Sequence, residues 1–191
     1  MTDRRPTERA DAARNRRAIL DATATLLAEH GAAGVTMDRV AAAAGVGKGT
    51  IFHRFGSRAG LLYELVAEGA VALMAAVSSG PPPLGPGAAA TDRLLAFFDA
   101  MTSLVTDDVE LIAAYQAMPP HPRSAEFHTF WAQHIGTLLR EVRPDIDADT
   151  VGALLLSTVG GELAQHMARA GEVDRLRSAI EELVRSVLRV P

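Results

Sequence analysis

The stretch from Thr36 to Phe55 constrains this chain more than any other. Thr36 stands where a helix N-cap is wanted, ahead of Met37-Asp38-Arg39-Val40-Ala41-Ala42-Ala43-Ala44. A threonine hydroxyl accepts from a free amide of the first turn, and Asp38 faces the positive end of the helix dipole. Gly45 follows, and glycine takes a positive φ at little cost, so the chain can turn sharply there. Val46 then reads as an inward apolar pin. A second short helix is predicted over Gly47–Phe55, with Ile51 and Phe55, four residues apart, on its buried face. Lys48, Gly49, Thr50, His53 and Arg54 are left to look outward. Two short helices joined by a glycine turn form the layout of a helix-turn-helix, whose second helix lies in the DNA major groove.

With its flanks, this stretch resembles the DNA-binding domain of the TetR family of bacterial transcriptional regulators. The resemblance runs from about Arg14 to Glu64 and is most specific over Gly45–Phe55, followed by Ser57 and Arg58. It implies that Thr36 caps a helix and touches phosphate, and that Arg39 reaches a base edge or phosphate. Lys48, Gly49 and Thr50 would meet the groove, Phe52 and His53 would lie at the backbone, and Arg58 would hold a phosphate. Arginine and lysine neutralise phosphates and release counterions, and a bidentate arginine also reads guanine. Two positions depart from the family pattern. Many relatives carry serine where this chain has Gly47, and many carry tyrosine where Phe52 stands, so two hydroxyls are missing.

The net charge of −4 argues poorly for a nucleic-acid binder until it is located along the chain. Residues 1–60 hold ten Lys and Arg against six Asp and Glu; residues 61–191 hold nine against seventeen. A basic head on an acidic body suits DNA binding by one end, since the attraction is local. Cysteine is absent, which excludes disulfides and thiolate metal sites. No signal-peptide pattern and no apolar run of membrane-spanning length is read, so a cytoplasmic protein without membrane contact is expected.

Scarce aromatics, abundant alanine and leucine and helical spacing throughout predict an all-α chain of about nine helices. Residues 1–13 read as a mobile basic arm, either a frayed terminus or one whose Arg4, Arg5 or Arg9 reaches a minor groove or phosphate. Residues 14–60 form the N-terminal three-helix helix-turn-helix DNA-binding domain, with a small core of Ile19, Leu26, Val40, Val46, Ile51 and Phe55. Residues 61–191 form a C-terminal helical ligand-binding and dimerisation domain. Ser57 caps its first long helix, which ends where Pro81-Pro82-Pro83 and Pro86 predict a semi-rigid, partly extended loop over 78–90. Further helices follow, one capped by Asp149 and running to Ala170, and a last one from Val173 to Leu188.

A single helix-turn-helix reads one half-site, so a homodimer through the last two helices and a near-palindromic double-stranded DNA operator are expected. Gly152, Ser157, Gly160 and Gly161 offer close approach there, and Leu155, Val159, Leu176, Leu183 and Leu188 offer apolar area; intramolecular core is the other reading of the same residues. A ligand cavity is expected around Met101, Tyr115, Met118, Phe127, Phe130, Trp131 and Met167, with Gln116, His128, His134 and His166 as polar groups to orient a small apolar or aromatic effector. His121, His128 and His134 lack the spacing of metal ligands, and no metal or cofactor is expected. The reading is a repressor released by its effector and not an enzyme. An activator or a regulator controlled by a protein partner remains open, as does an enzyme with a helical apolar pocket.

Overall fold

The computed structural model describes residues 4–189, with side chains from Asp11 onward. Regular structure among the described residues is helical throughout. The elements are α1 (Arg4–Gly34), α2 (Met37–Ala44), α3 (Lys48–Phe55), α4 (Arg58–Ser79) and α5 (Ala90–Thr106). They continue as α6 (Val109–Gln116), α7 (Ser124–Val142), α8 (Ala148–Gly160), α9 (Glu162–Arg169) and α10 (Val173–Leu188). The helices fall into two compact units. The first runs through Ala67 and takes in Glu110–His121; the second holds Glu68–Val109 and the chain from Pro122 onward.

In the first unit α1 buries Ile19, Leu20, Leu26 and Leu27 at helical spacing. Thr23 is also buried there, and its hydroxyl is satisfied by donating to the Ile19 carbonyl at 2.7 Å. Gly31 takes φ 63°, and a short helical tail carries on from it to Gly34. Backbone from Arg4 is already helical, so most of the expected arm over 1–13 is the start of α1; residues 1–3 and the side chains of Arg4, Arg5 and Arg9 lie outside the described residues. Val40, Ile51, Phe55, Leu61 and Leu62 complete the core with α1, and Val46 packs against it half-buried. Burying each such side chain contributes about 1.5–3 kcal/mol.

The division does not fall at residue 60. Leu111, Ala114 and Met118 pack against the same core, and this apolar contact draws Glu110–His121 into the N-terminal unit. Tyr63 is buried within that unit and stacks on His121, ring centroids 3.8 Å apart. α4 also corrects the reading of apolar runs. It is long and apolar enough to cross a membrane, with a mean hydropathy of 1.6 over its best window. Its Leu61, Leu62, Tyr63, Leu73 and Val77 are buried in protein core instead, and Glu64 is paired with Arg16 of α1 at 2.7 Å.

In the second unit Phe97 of α5 meets Phe98 edge-on and lies 5.5 Å from the Trp131 ring of α7. Ile135, Leu138 and Leu139 of α7, Leu155 and Val159 of α8, and Leu176, Ile180, Val184 and Leu188 of α10 are buried around them. Gly152 and Val159, expected at a dimer interface, are thus inside this fold: a Cβ on Gly152 would stand 3.0 Å from Ile135. Leu155, Leu176 and Leu188 likewise serve the intramolecular core. Asp147, not Asp149, caps α8 by accepting from the Thr150 amide at 3.2 Å; Asp149 pairs with Arg140. The single helix expected from Asp149 to Ala170 is broken after Gly160, where Gly161 is extended at φ −75° and ψ 171°. Arg143 ties α7 to the end of α10 by donating to the Val187 and Arg189 carbonyls at 2.6 and 2.9 Å. Its hydrogen bonds to Asp145 hold that carboxyl below the usual carboxylate range.

Candidate functional site

Each half of the helix-turn-helix is built by local chemistry. Thr36 Oγ1 accepts from the Arg39 amide at 3.3 Å and so closes the start of α2. Gly45 ends α2 in the left-handed region (φ 64°, ψ 31°), and its amide donates to the Ala41 and Ala42 carbonyls. The chain then enters α3 from Gly47, which has extended backbone and no side chain to cap with. Beyond α3, Ser57 Oγ accepts from the Gly60 amide at 3.1 Å and opens α4. Gly60 has a steric reason as well: a Cβ there would fall 2.1 Å from the Phe55 carbonyl oxygen. Only glycine lets α3 and α4 meet so closely.

Burial then sorts the expected DNA-facing residues. Thr36, Arg39, Lys48, Gly49, Thr50, Phe52 and His53 are all exposed, while Ile51 and Phe55 point into the core. Gly49 has no atom within 4 Å of where a Cβ would stand, so the N-terminal turn of α3 offers bare backbone. Phe52 is 44% exposed, a large apolar surface to leave uncovered. Lys48 Nζ lies 5.9 Å from the centre of its ring, and a cation over an aromatic face is attracted to it. Asp38 on α2 approaches the same ammonium at 2.6 Å. No pattern in the sequence signals this pairing, because the turn between the two helices has to bring its partners together.

Two arginines depart from expectation. Arg58, expected to hold a phosphate, has a half-buried guanidinium that donates to the Ala32 carbonyl and so closes the tail of α1. That carbonyl lies beyond the break at Gly31 and already accepts the Val35 amide at 3.2 Å; the charged donor fills its second lone pair. Arg54, expected to look outward unengaged, reaches back to the Ala12 carbonyl at 2.6 Å and ties α3 to α1.

The expected ligand residues are divided between the two units. Tyr115 and Met118 belong to the N-terminal unit, where Tyr115 tilts against Tyr63 and Met118 packs on the core. Met101 and Trp131 are buried in the second unit, Phe127 is half-buried, and His166 is exposed on α9. Large and pliable side chains are as useful to a core as to a pocket, which is why they do not discriminate. His134 does line a cavity. Its volume is about 300 Å³, and Val77, Pro86, Arg93, Phe130 and Gln133 share the wall. A larger cleft of about 480 Å³ runs between α5 and α10, with Phe98 and Ile180 in its floor and the Arg177–Asp99 ion pair at its edge.

His134 lies 5.2 Å from Phe97 and parallel to Phe130 at 6.4 Å. Burial and then the positive charge of Arg93 pull its pKa down to about 4, so the imidazole is neutral at physiological pH. Its Nε2 is buried without a hydrogen-bond partner, and so is Nε of Arg93.

Residues 19–65 match the sequence model of a family described as bacterial regulatory proteins, tetR family. No curated protein is similar to the chain in sequence. Solved structures share the fold over nearly the whole chain. A transcriptional regulator from Rhodococcus sp. Rha1 superposes with a TM-score of 0.72 at 21% identity, covering 92% of this chain and 99% of its own. The TetR family transcriptional regulator PfmR from Thermus thermophilus gives 0.64 at 21%, over 91% and 95%. FadR from Bacillus subtilis, solved in complex with stearoyl-CoA, gives 0.69 at 18%, over 88% and 96%. The helix-turn-helix is therefore that of the TetR family, and the helices behind it follow the same fold.

Proposed function

We propose that this TetR-family DNA-binding regulator is a homodimeric repressor, released from its operator by a small effector bound in the second unit. The observation that carries the reading is the exposed tip of α3, where Lys48, bare Gly49 and Thr50 stand outside a core closed by Ile51 and Phe55. Such a tip can bring backbone amides and one cation against phosphate while Arg39 and Thr50 reach base edges. Thr36, Phe52 and His53 flank it at the backbone, and Arg58 supports the domain from inside.

Dimerisation would follow from need and from surface. Two half-sites lie about 34 Å apart per turn of DNA, which one α3 cannot span. Leu154 on α8, Leu163 on α9 and Leu183 on α10 are 63%, 70% and 41% exposed. Large leucines left in water on three consecutive helices favour a subunit contact over a solvated face. The stearoyl-CoA bound to the FadR of similar fold supports a ligand-responsive second unit. An effector preferring the released state about a hundredfold would weaken operator binding by roughly 2.7 kcal/mol, enough to switch a promoter.

Selection of random duplexes by the purified chain tests the reading. A near-palindromic site with half-sites one helical turn apart is expected, occupied by two chains. Enrichment of no sequence, or binding indifferent to sequence, would overturn it.

A further inference from the structure

The cavity of about 300 Å³ in the second unit has Arg93 in its wall, and no acidic side chain lines it. Arg93 stands in the first turn of α5 and donates through Nη2 to the Val77 carbonyl at 3.2 Å. Its Nε is buried with no partner. A guanidinium offers five N–H groups in a fixed fork, and with one bond made to Val77 others remain for a ligand group. A half-buried cation without a counter-ion is unfavourable, and a ligand carboxylate would relieve it.

His134 lines the same cavity, and its buried Nε2 is likewise unpartnered. In the Nε2–H tautomer it donates to an oxygen without adding charge. Gln133 offers a further amide, and Phe130, parallel to the imidazole within 5°, supplies a flat apolar wall. Pro86, from the Pro/Gly-rich segment, closes another side. The volume stands at the small end of ligand sites, so a ring or short chain fits and a nucleotide-bearing thioester does not.

We propose that the effector is a small aromatic monocarboxylate, anchored by the Arg93 fork, hydrogen-bonded by His134 and packed on Phe130. The inference rests on the effector-released reading above and names the ligand class.

Calorimetric titration of the full chain with benzoate, and separately with uncharged benzamide, tests the anchor. Benzoate is expected to bind saturably, benzamide to bind about 10- to 100-fold more weakly, and Arg93→Gln to lose the same factor for benzoate. Should Arg93→Gln fail to fold, histidine-labelled wild-type chain gives the answer by nitrogen NMR: benzoate must move the His134 Nε2 resonance and benzamide must not. Absent benzoate binding, equal benzamide binding, an unmoved His134 resonance or undiminished affinity in Arg93→Gln would each overturn the site. Each of these can occur while the unliganded chain still selects its operator, which leaves the regulator reading intact. Failure of operator selection with benzoate binding retained would remove that reading instead.

Discussion

Lys48 Nζ sits 2.6 Å from Asp38 Oδ1, so the only lysine of the chain is tethered at the tip of α3 by the helix before it. Both side chains are more than half exposed, and such a pair contributes about 0–1 kcal/mol to folding. Its consequence is for binding. The carboxylate competes with phosphate for the ammonium and repels the DNA itself. Asp38→Asn is expected to tighten operator binding and steepen its salt dependence. Lys48→Ala should weaken binding to every sequence and lower the slope of log affinity against log salt by about one. Fluorescence anisotropy over a salt series measures both; an unaltered slope in Lys48→Ala would place the lysine away from the backbone.

Gly49 and Gly60 are predicted to answer the same substitution in opposite ways. Nothing stands within 4 Å of a Cβ at Gly49, and alanine favours helix over glycine by about 0.5–1 kcal/mol. Gly49→Ala should raise the urea midpoint and still impair operator binding, because in the proposed function the methyl stands where backbone approaches DNA. At Gly60 the Cβ would meet the Phe55 carbonyl oxygen at 2.1 Å. Gly60→Ala should cost about 1–3 kcal/mol, the range for steric overpacking. A stabilised Gly60→Ala would mean that α3 and α4 can part without loss.

How far the sequence can be read follows from the distance over which each contact acts. The Thr36 cap, the Gly45 turn and the Ser57 cap each bond within a few residues, and all three stand as expected. Arg58 and Arg54 find carbonyls 26 and 42 positions back, which no local pattern signals. For the same reason the helix holding Leu111 and Ala114 joins the N-terminal core unannounced. Gly160 and Gly161 read as small contact surfaces, yet their local effect is to break a helix into α8 and α9. His134 lines a cavity together with Arg93, which carries no local signal beyond a charge in a first turn.

The exposed leucines give the subunit contact a direct test. Leu154→Glu and Leu183→Glu place charges on surfaces already in water in the single chain, so folding should be little disturbed. At a subunit contact each buries an unpaired carboxylate and should split the dimer. Sedimentation velocity is expected to show dimer for the wild type and monomer for the double variant. Operator affinity should fall by about a hundredfold or more, since two linked half-sites become two separate events. A double variant that sediments unchanged would move the interface elsewhere.

His134 links the cavity to pH. Its pKa is about 4 in the fold against 6.5 in the open chain, with burial the larger cause and Arg93 the second. Between those values the unfolded chain binds more protons than the folded one, so stability rises with pH across the window. Above pH 6.5 both states are neutral at this residue and its contribution is flat; below pH 4 both are charged and the loss is complete. Asp145 and Asp147, whose pKa values are lowered, also lose stability as pH falls, but through the lower range below 3.8. Comparison with a variant therefore isolates the histidine. Urea midpoints at pH 4.5, 5.5 and 7.5 should climb for the wild type and lose most of that climb in His134→Gln, which keeps an amide near the same volume. Arg93→Gln should keep part of it, because burial remains when the charge is gone. An equally steep climb in His134→Gln would show that the imidazole titrates freely in the fold, and the neutral donor assigned to the cavity would go with it.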